Sequence, residues 1–125
     1  MADVVAERRA EQRRLIELAR AYVERLSSSL PVLAAAVVGS VARGDFNVWS
    51  DIDVVVVSDD LPERIPDRMA ILMREDTGGV QPVGYTREEF REASSKRNPL
   101  AASVTEEGVI LLGDDVFRDL SARSP

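Results

Sequence analysis

Two runs of small apolar residues limit the fold of this chain more than anything else in it. Val32 to Val38 contains only Val, Leu and Ala, and Val54 to Val57 is four consecutive valines. A strand with one face in water alternates apolar and polar residues, whereas an unbroken run needs cover on both faces. We therefore expect strands at 32–38 and 51–58 inside a sheet packed between two layers. Gly39-Ser40 closes the first run, and a polar stretch with Gly44, Asp45 and Asn47 joins it to the second.

The segments around these strands read as helices and shorter strands. Leu15, Leu18, Ala19, Tyr22 and Leu26 recur at three- and four-residue spacing, which predicts a long amphipathic helix within residues 1–29. Its other face interleaves Arg8, Arg9, Arg13, Arg14, Arg20 and Arg25 with glutamates, pairing Glu11 with Arg14 and Glu17 with Arg20, as a solvated face does. Ile65, Met69, Leu72 and Met73 predict a helix that ends before Gly78-Gly79. Val80 to Tyr85 reads as a third strand, and Pro82 places it at an edge. Thr86 and Glu89 have the spacing of a capping box opening a helix to about Lys96. Asn98-Pro99 then starts a short helix capped by Gly108, Val109 to Leu112 a fourth strand, and Asp114 to Leu120 a last helical turn. Helices alternating with strands give an α/β fold, a small mixed sheet of about four strands flanked by helices. The expectation is one domain over 1–125, with 119–125 as a flexible tail.

Composition removes whole classes of chemistry. There is no cysteine and no histidine, which excludes disulfides, thiolate zinc sites, imidazole bases and the usual nucleophilic triads. Any catalysis must rest on carboxylates and metal. The net charge of -6 argues against broad nucleic-acid binding. No apolar run is long enough to span a membrane, and the charged start Met1-Ala2-Asp3 leads into no secretory segment, so the expected setting is the cytoplasm.

The carboxylates stand out at one place. Asp51 and Asp53 are two apart at the head of the second strand, so their side chains share a face, on the order of 7 Å apart along it. Two carboxylates leading into valines repel each other unless a cation lies between them, and Mg2+ takes oxygen ligands. The plainer alternative is that Asp51 caps a turn and Asp53 sits in solvent. Gly39-Ser40, where a strand gives way to a loop or helix start, can offer backbone N–H groups and a hydroxyl to phosphate, and Arg43 can neutralise a phosphate. Each of these also has an ordinary reading, as a turn and a solvated side chain.

Taken together, Gly39-Ser-Val-Ala-Arg43-Gly44-Asp-Phe-Asn-Val-Trp-Ser50-Asp51-Ile-Asp53 resembles the GS…DxD signature of the DNA polymerase beta-like nucleotidyltransferase superfamily. Arg43-Gly44-Asp45 and Ser50 make it similar to the minimal nucleotidyltransferase branch, often antitoxins paired with HEPN toxins. The resemblance implies the nucleotidyltransferase fold, with Gly39, Ser40, Arg43 and Ser50 contacting ATP. It also implies Asp51 and Asp53 as catalytic ligands of two Mg2+ ions, and AMP transfer to a hydroxyl, here a tyrosine of a cognate HEPN toxin. One departure stands against it. The superfamily takes a third carboxylate from the next core strand, yet 77–87 holds no acid, and Gln81 fills the slot. Either catalysis is weakened, or Glu75, Asp76 or an acid from a partner chain substitutes; a second reading is a catalytically weak or dead relative that neutralises a toxin by binding. A third reading, transfer to a small molecule, would need an acceptor pocket formed by a homodimer.

Three features remain. Trp49, the sole tryptophan, is read as stacking on a base, anchoring a partner, or packing under its loop. Gly79, Gly84 and Thr86 have P-loop spacing, but Tyr85 stands in place of the lysine, so that motif is rejected. Arg43-Gly44-Asp45 also spells an adhesion tripeptide, which is meaningless without an extracellular setting.

Overall fold

The two apolar runs become the central strands of a four-stranded sheet covered on both faces. The computed structural model describes residues 2–76 and 78–122. Its elements in chain order are α1 (Ala2–Ser27), β1 (Ala34–Val38), α2 (Gly39–Arg43), β2 (Ile52–Val57), α3 (Ile65–Arg74), β3 (Val80–Tyr85), α4 (Arg87–Ser95), α5 (Pro99–Glu107), β4 (Val109–Leu112) and α6 (Asp114–Ser121). The strand order is β3-β2-β1-β4, with β1 antiparallel to both β2 and β4, and β2 parallel to β3. This is the mixed α/β sheet that the sequence implies. The parallel pair is joined through α3, since a parallel neighbour needs a crossover.

The two faces feed separate cores. Ala35, Val37, Ile52, Val54 and Val56 pack with Ala19, Tyr22, Leu26 and Leu72 of α1 and α3. Ala34, Ala36, Val38, Val55 and Val57 pack with Phe90, Ala101, Val104, Phe117 and Leu120 of α4, α5 and α6. Consecutive valines thus point into opposite cores, which is why the run shows no polar alternation. Pro82 lies in β3, an edge strand, where its missing N–H leaves no central ladder broken.

Local signals act as expected in α4 and α5. Thr86 and Glu89 form the complete capping box, and the Asn98 side chain accepts from Leu100 N–H to start α5. Other boundaries move. β1 begins at Ala34 and β2 at Ile52, so Asp51 precedes the strand it was expected to open. The short helix α2 follows β1 directly. The tail expected over 119–125 overlaps α6, whose last turn includes Asp119 to Ser121 and is held by buried Leu120. The final three residues of that tail lie outside the described residues. Among the described residues no helix is long and apolar enough to cross a membrane.

Candidate functional site

The site forms where β1 and β2 meet α2. Gly39 begins α2 with φ +73°, a left-handed conformation that L side chains rarely adopt. Space demands glycine there too: a Cβ on Gly39 would lie 2.5 Å from Asp53 Oδ2. The residue that follows β1 and the carboxylate on β2 are therefore packed against each other. Val38 pairs with Asp53 across the antiparallel ladder, which sets this contact.

Asp53 shares a sheet face with Val55 and Val57 but stands where the helical cover ends, so it is half-buried while they are buried. Its pKa is raised, first by burial and then by the charge of Asp51, with Arg43 opposing. Asp51, exposed, precedes the strand and is close enough to act on Asp53 electrostatically. These are the conditions in which a cation would relieve both desolvation and repulsion.

The strand register settles which residue faces Asp53 from β3. Asp53 pairs with Gln81 in the parallel ladder, so the two stand side by side about 4.8 Å apart on one face. Gln81 is exposed. Neither acid considered as a substitute is free for the role. Glu75 accepts the Ser29 hydroxyl at 3.0 Å, and its carbonyl accepts Arg25 Nε, which ties it to α1. Asp76 caps its own turn, accepting from Gly78 and Val80 N–H at 2.9 and 3.3 Å. Among the described residues no group of three acids gathers at one point. The acids available to a cation at this point are Asp51 and Asp53, with no third joining them among the described residues.

Arg43, at the end of α2, is held by two carboxylates that its sequence neighbourhood only half reveals. Its Nε donates to Asp45 Oδ2 and its Nη1 to Glu107 Oε1, both at 3.1 Å. Glu107 ends α5, 64 residues away, and no local pattern marks it. Those bonds raise the Arg43 pKa further, through Asp45 first and Glu107 second. Ser40 is half-buried in α2, and its carbonyl accepts from Gly44 and Asp45 N–H.

The loop from Asp45 to Ser50 is braced rather than loose. Ser50 Oγ accepts from Asn47 N–H at 2.9 Å, and Asn47 Oδ1 accepts from Trp49 N–H at 2.8 Å. Ser50 thus stiffens the approach to Asp51, a use the motif alone does not show. Two residues of α1 add to this. Arg8 donates to the carbonyls of Gly44 and Phe46 and lies 4.4 Å from the Phe46 ring centroid. Gln12 Nε2 donates to the carbonyls of Val41 and Ala42, satisfying the end of α2. The arginine-rich face of α1 is therefore not solvated throughout. Trp49 does not pack under the loop: it is 88% exposed, and Val48 beside it is 90% exposed. Gly84 lies inside β3, so the rejected P-loop spacing corresponds to no loop.

Comparison with known proteins agrees with this geometry. Residues 17–111 match the family whose description is Nucleotidyltransferase domain. No curated protein matches the chain. Among solved structures, a "putative nucleotidyltransferase" from Sulfolobus solfataricus is 30% identical, with a TM-score of 0.60 over 82% of this chain and 84% of that one. A toxin-antitoxin structure with AMP-PNP is 21% identical, with a TM-score of 0.60 over 82% of this chain and 80% of that one, and shares the fold.

Proposed function

The chain belongs to the nucleotidyltransferase domain family, and on that premise we propose that it transfers AMP from ATP to a tyrosine hydroxyl of a cognate HEPN toxin, as that toxin's antitoxin. The observation that carries this reading is the packing of Asp53 against Gly39, which puts a carboxylate and bare backbone at one point. Asp51 and Asp53 would hold Mg2+, which when bound neutralises phosphate charge. Gly39 and Ser40 would offer N–H and hydroxyl donors to the phosphates. Arg43, its Nε and Nη1 held by Asp45 and Glu107, would present the rest of its guanidinium to them.

We read residues 1–125 as one minimal domain and the acceptor as a separate protein that docks on it. The toxin-antitoxin neighbour that carries AMP-PNP supports that assignment. A second reading, neutralisation by binding without turnover, is favoured by Gln81 beside Asp53, because an amide adds no charge and takes up no proton. Incubating the protein with ATP, Mg2+ and the product of the neighbouring gene, followed by mass spectrometry of that product, separates the two. Added AMP is the expected result. A neutralised but unmodified toxin would leave the binding reading in its place.

A further inference from the structure

We propose that this site works with one divalent cation rather than two, and that its acceptor hydroxyl must therefore ionise without a metal beside it. The proposal rests on the nucleotide-transfer reading above and concerns how the site of that reading is loaded. Its basis is the row Val38, Asp53, Gln81 across three strands, in which the ladder partners of the half-buried carboxylate are a valine and an amide.

The acids that could complete a second site are committed elsewhere. Glu75 faces Ser29, Asp76 caps the Gly78 turn, and Asp45 and Glu107 hold Arg43. A Mg2+ ion bound with a nucleotide is satisfied by one or two carboxylates, phosphate oxygens and water, which Asp51, Asp53 and ATP supply. A second ion would have to share those two carboxylates, gain no acid of its own, and sit near the Arg43 guanidinium that already acts on Asp53. Glutamine at position 81 can contribute one neutral oxygen and cannot offset that charge.

The consequence falls on the acceptor. A phenol ionises with a pKa of about 10, so roughly one molecule in a thousand is phenolate at pH 7. An aliphatic hydroxyl is a far weaker acid, closer to water at ~15.7. A site that lacks a second cation thus selects tyrosine over serine or threonine. The phenol proton passes to solvent, the phenolate oxygen bonds to the α-phosphorus, and the bond from that phosphorus to the bridging oxygen breaks. Pyrophosphate leaves with the electron pair.

The test counts metal ions. Mn2+ is titrated into the protein with an ATP analogue carrying a methylene between its α- and β-phosphates, and bound Mn2+ is read by electron paramagnetic resonance. One Mn2+ per complex is expected for the natural chain and for Gln81→Ala, and two for Gln81→Glu. Two ions in the natural chain overturn the proposal while leaving the nucleotide-transfer reading intact. One ion in Gln81→Glu removes position 81 as the determinant and overturns it as well. No bound Mn2+ in any of the three takes the nucleotide-transfer reading down with it.

Discussion

At Asp53 the carboxylate that would bind a cation is also one the fold makes hard to ionise: burial raises its pKa, Asp51 raises it further, and Arg43 only partly opposes them. A carboxyl whose folded pKa lies above its unfolded value of about 3.9 destabilises the folded state at neutral pH, and that cost disappears as pH falls through the folded pKa. Asp53→Asn removes the charge at nearly constant volume. Metal-free Asp53→Asn is therefore expected to melt at or above the natural chain at pH 7, with the difference shrinking in acid. Mg2+ should reverse the order. At a hundred times its Kd it stabilises the natural chain by about 2.7 kcal/mol and leaves the variant unmoved. Thermal melts with and without Mg2+ check this, and equal Mg2+ shifts in both proteins would show that the cation binds elsewhere. Gly39 carries the same message from the backbone side. The motif marks it as a phosphate contact, but its positive φ and its contact with Asp53 are invisible until β1 and β2 are paired.

Among the elements, β1 and β2 were legible because burial on both faces leaves an unbroken apolar run, and α4 because its capping box is local. The contacts that position the site were not, because they join distant segments. Arg8 and Gln12 reach the loop after α2, and Glu107 reaches Arg43, yet on α1 and α5 such residues look like ordinary solvated positions. Arg68 is the extreme case. Read along α3 it is one more surface arginine, but it is 4% exposed and donates to the carbonyls of Pro62 and Gly84 and to both oxygens of Glu89. It thereby ties α3, β3 and α4 together. Burial works to raise the Glu89 pKa, but the Thr86 N–H and the Arg68 guanidinium outweigh it and hold it below the usual value. A depressed carboxyl contributes stability that is complete above its unfolded pKa of about 4.3 and is lost as pH falls through the folded value. Glu89→Gln is expected to cost about 2 kcal/mol at pH 7, below the full price of a buried pair because Glu89 is half-exposed. Denaturant melts at pH 7 and pH 3 should show that difference narrowing in acid. A difference independent of pH would mean that the loss comes from packing rather than charge.

Across the whole molecule, the two most exposed large hydrophobic side chains among the described residues stand beside the candidate site. Val48 and Trp49 stand almost fully exposed three and two residues before Asp51, and Val4 at the start of α1 is 65% exposed. A groove lined by Val4, Arg8, Glu11, Leu15 and Phe46 runs between α1 and this loop. An exposed tryptophan on a mobile loop would be unremarkable, but this loop is fixed by Asn47, Ser50 and Arg8. A large aromatic carried on a braced backbone beside the candidate site loses little backbone entropy when something covers it, a condition that favours an interface anchor. A protein acceptor of the kind proposed would reach Asp51 from solvent, and Trp49 stands exposed two residues from it. Trp49→Ala should change folding stability by no more than about 0.5 kcal/mol, because the side chain touches little in the free protein. Binding of the partner should weaken by about 2 kcal/mol, roughly thirtyfold. Calorimetric titration of partner and of ATP against both proteins separates the remaining roles. A loss confined to the partner places Trp49 in the protein interface, whereas a loss confined to ATP would mean that its ring stacks on the base and that the acceptor docks on another face.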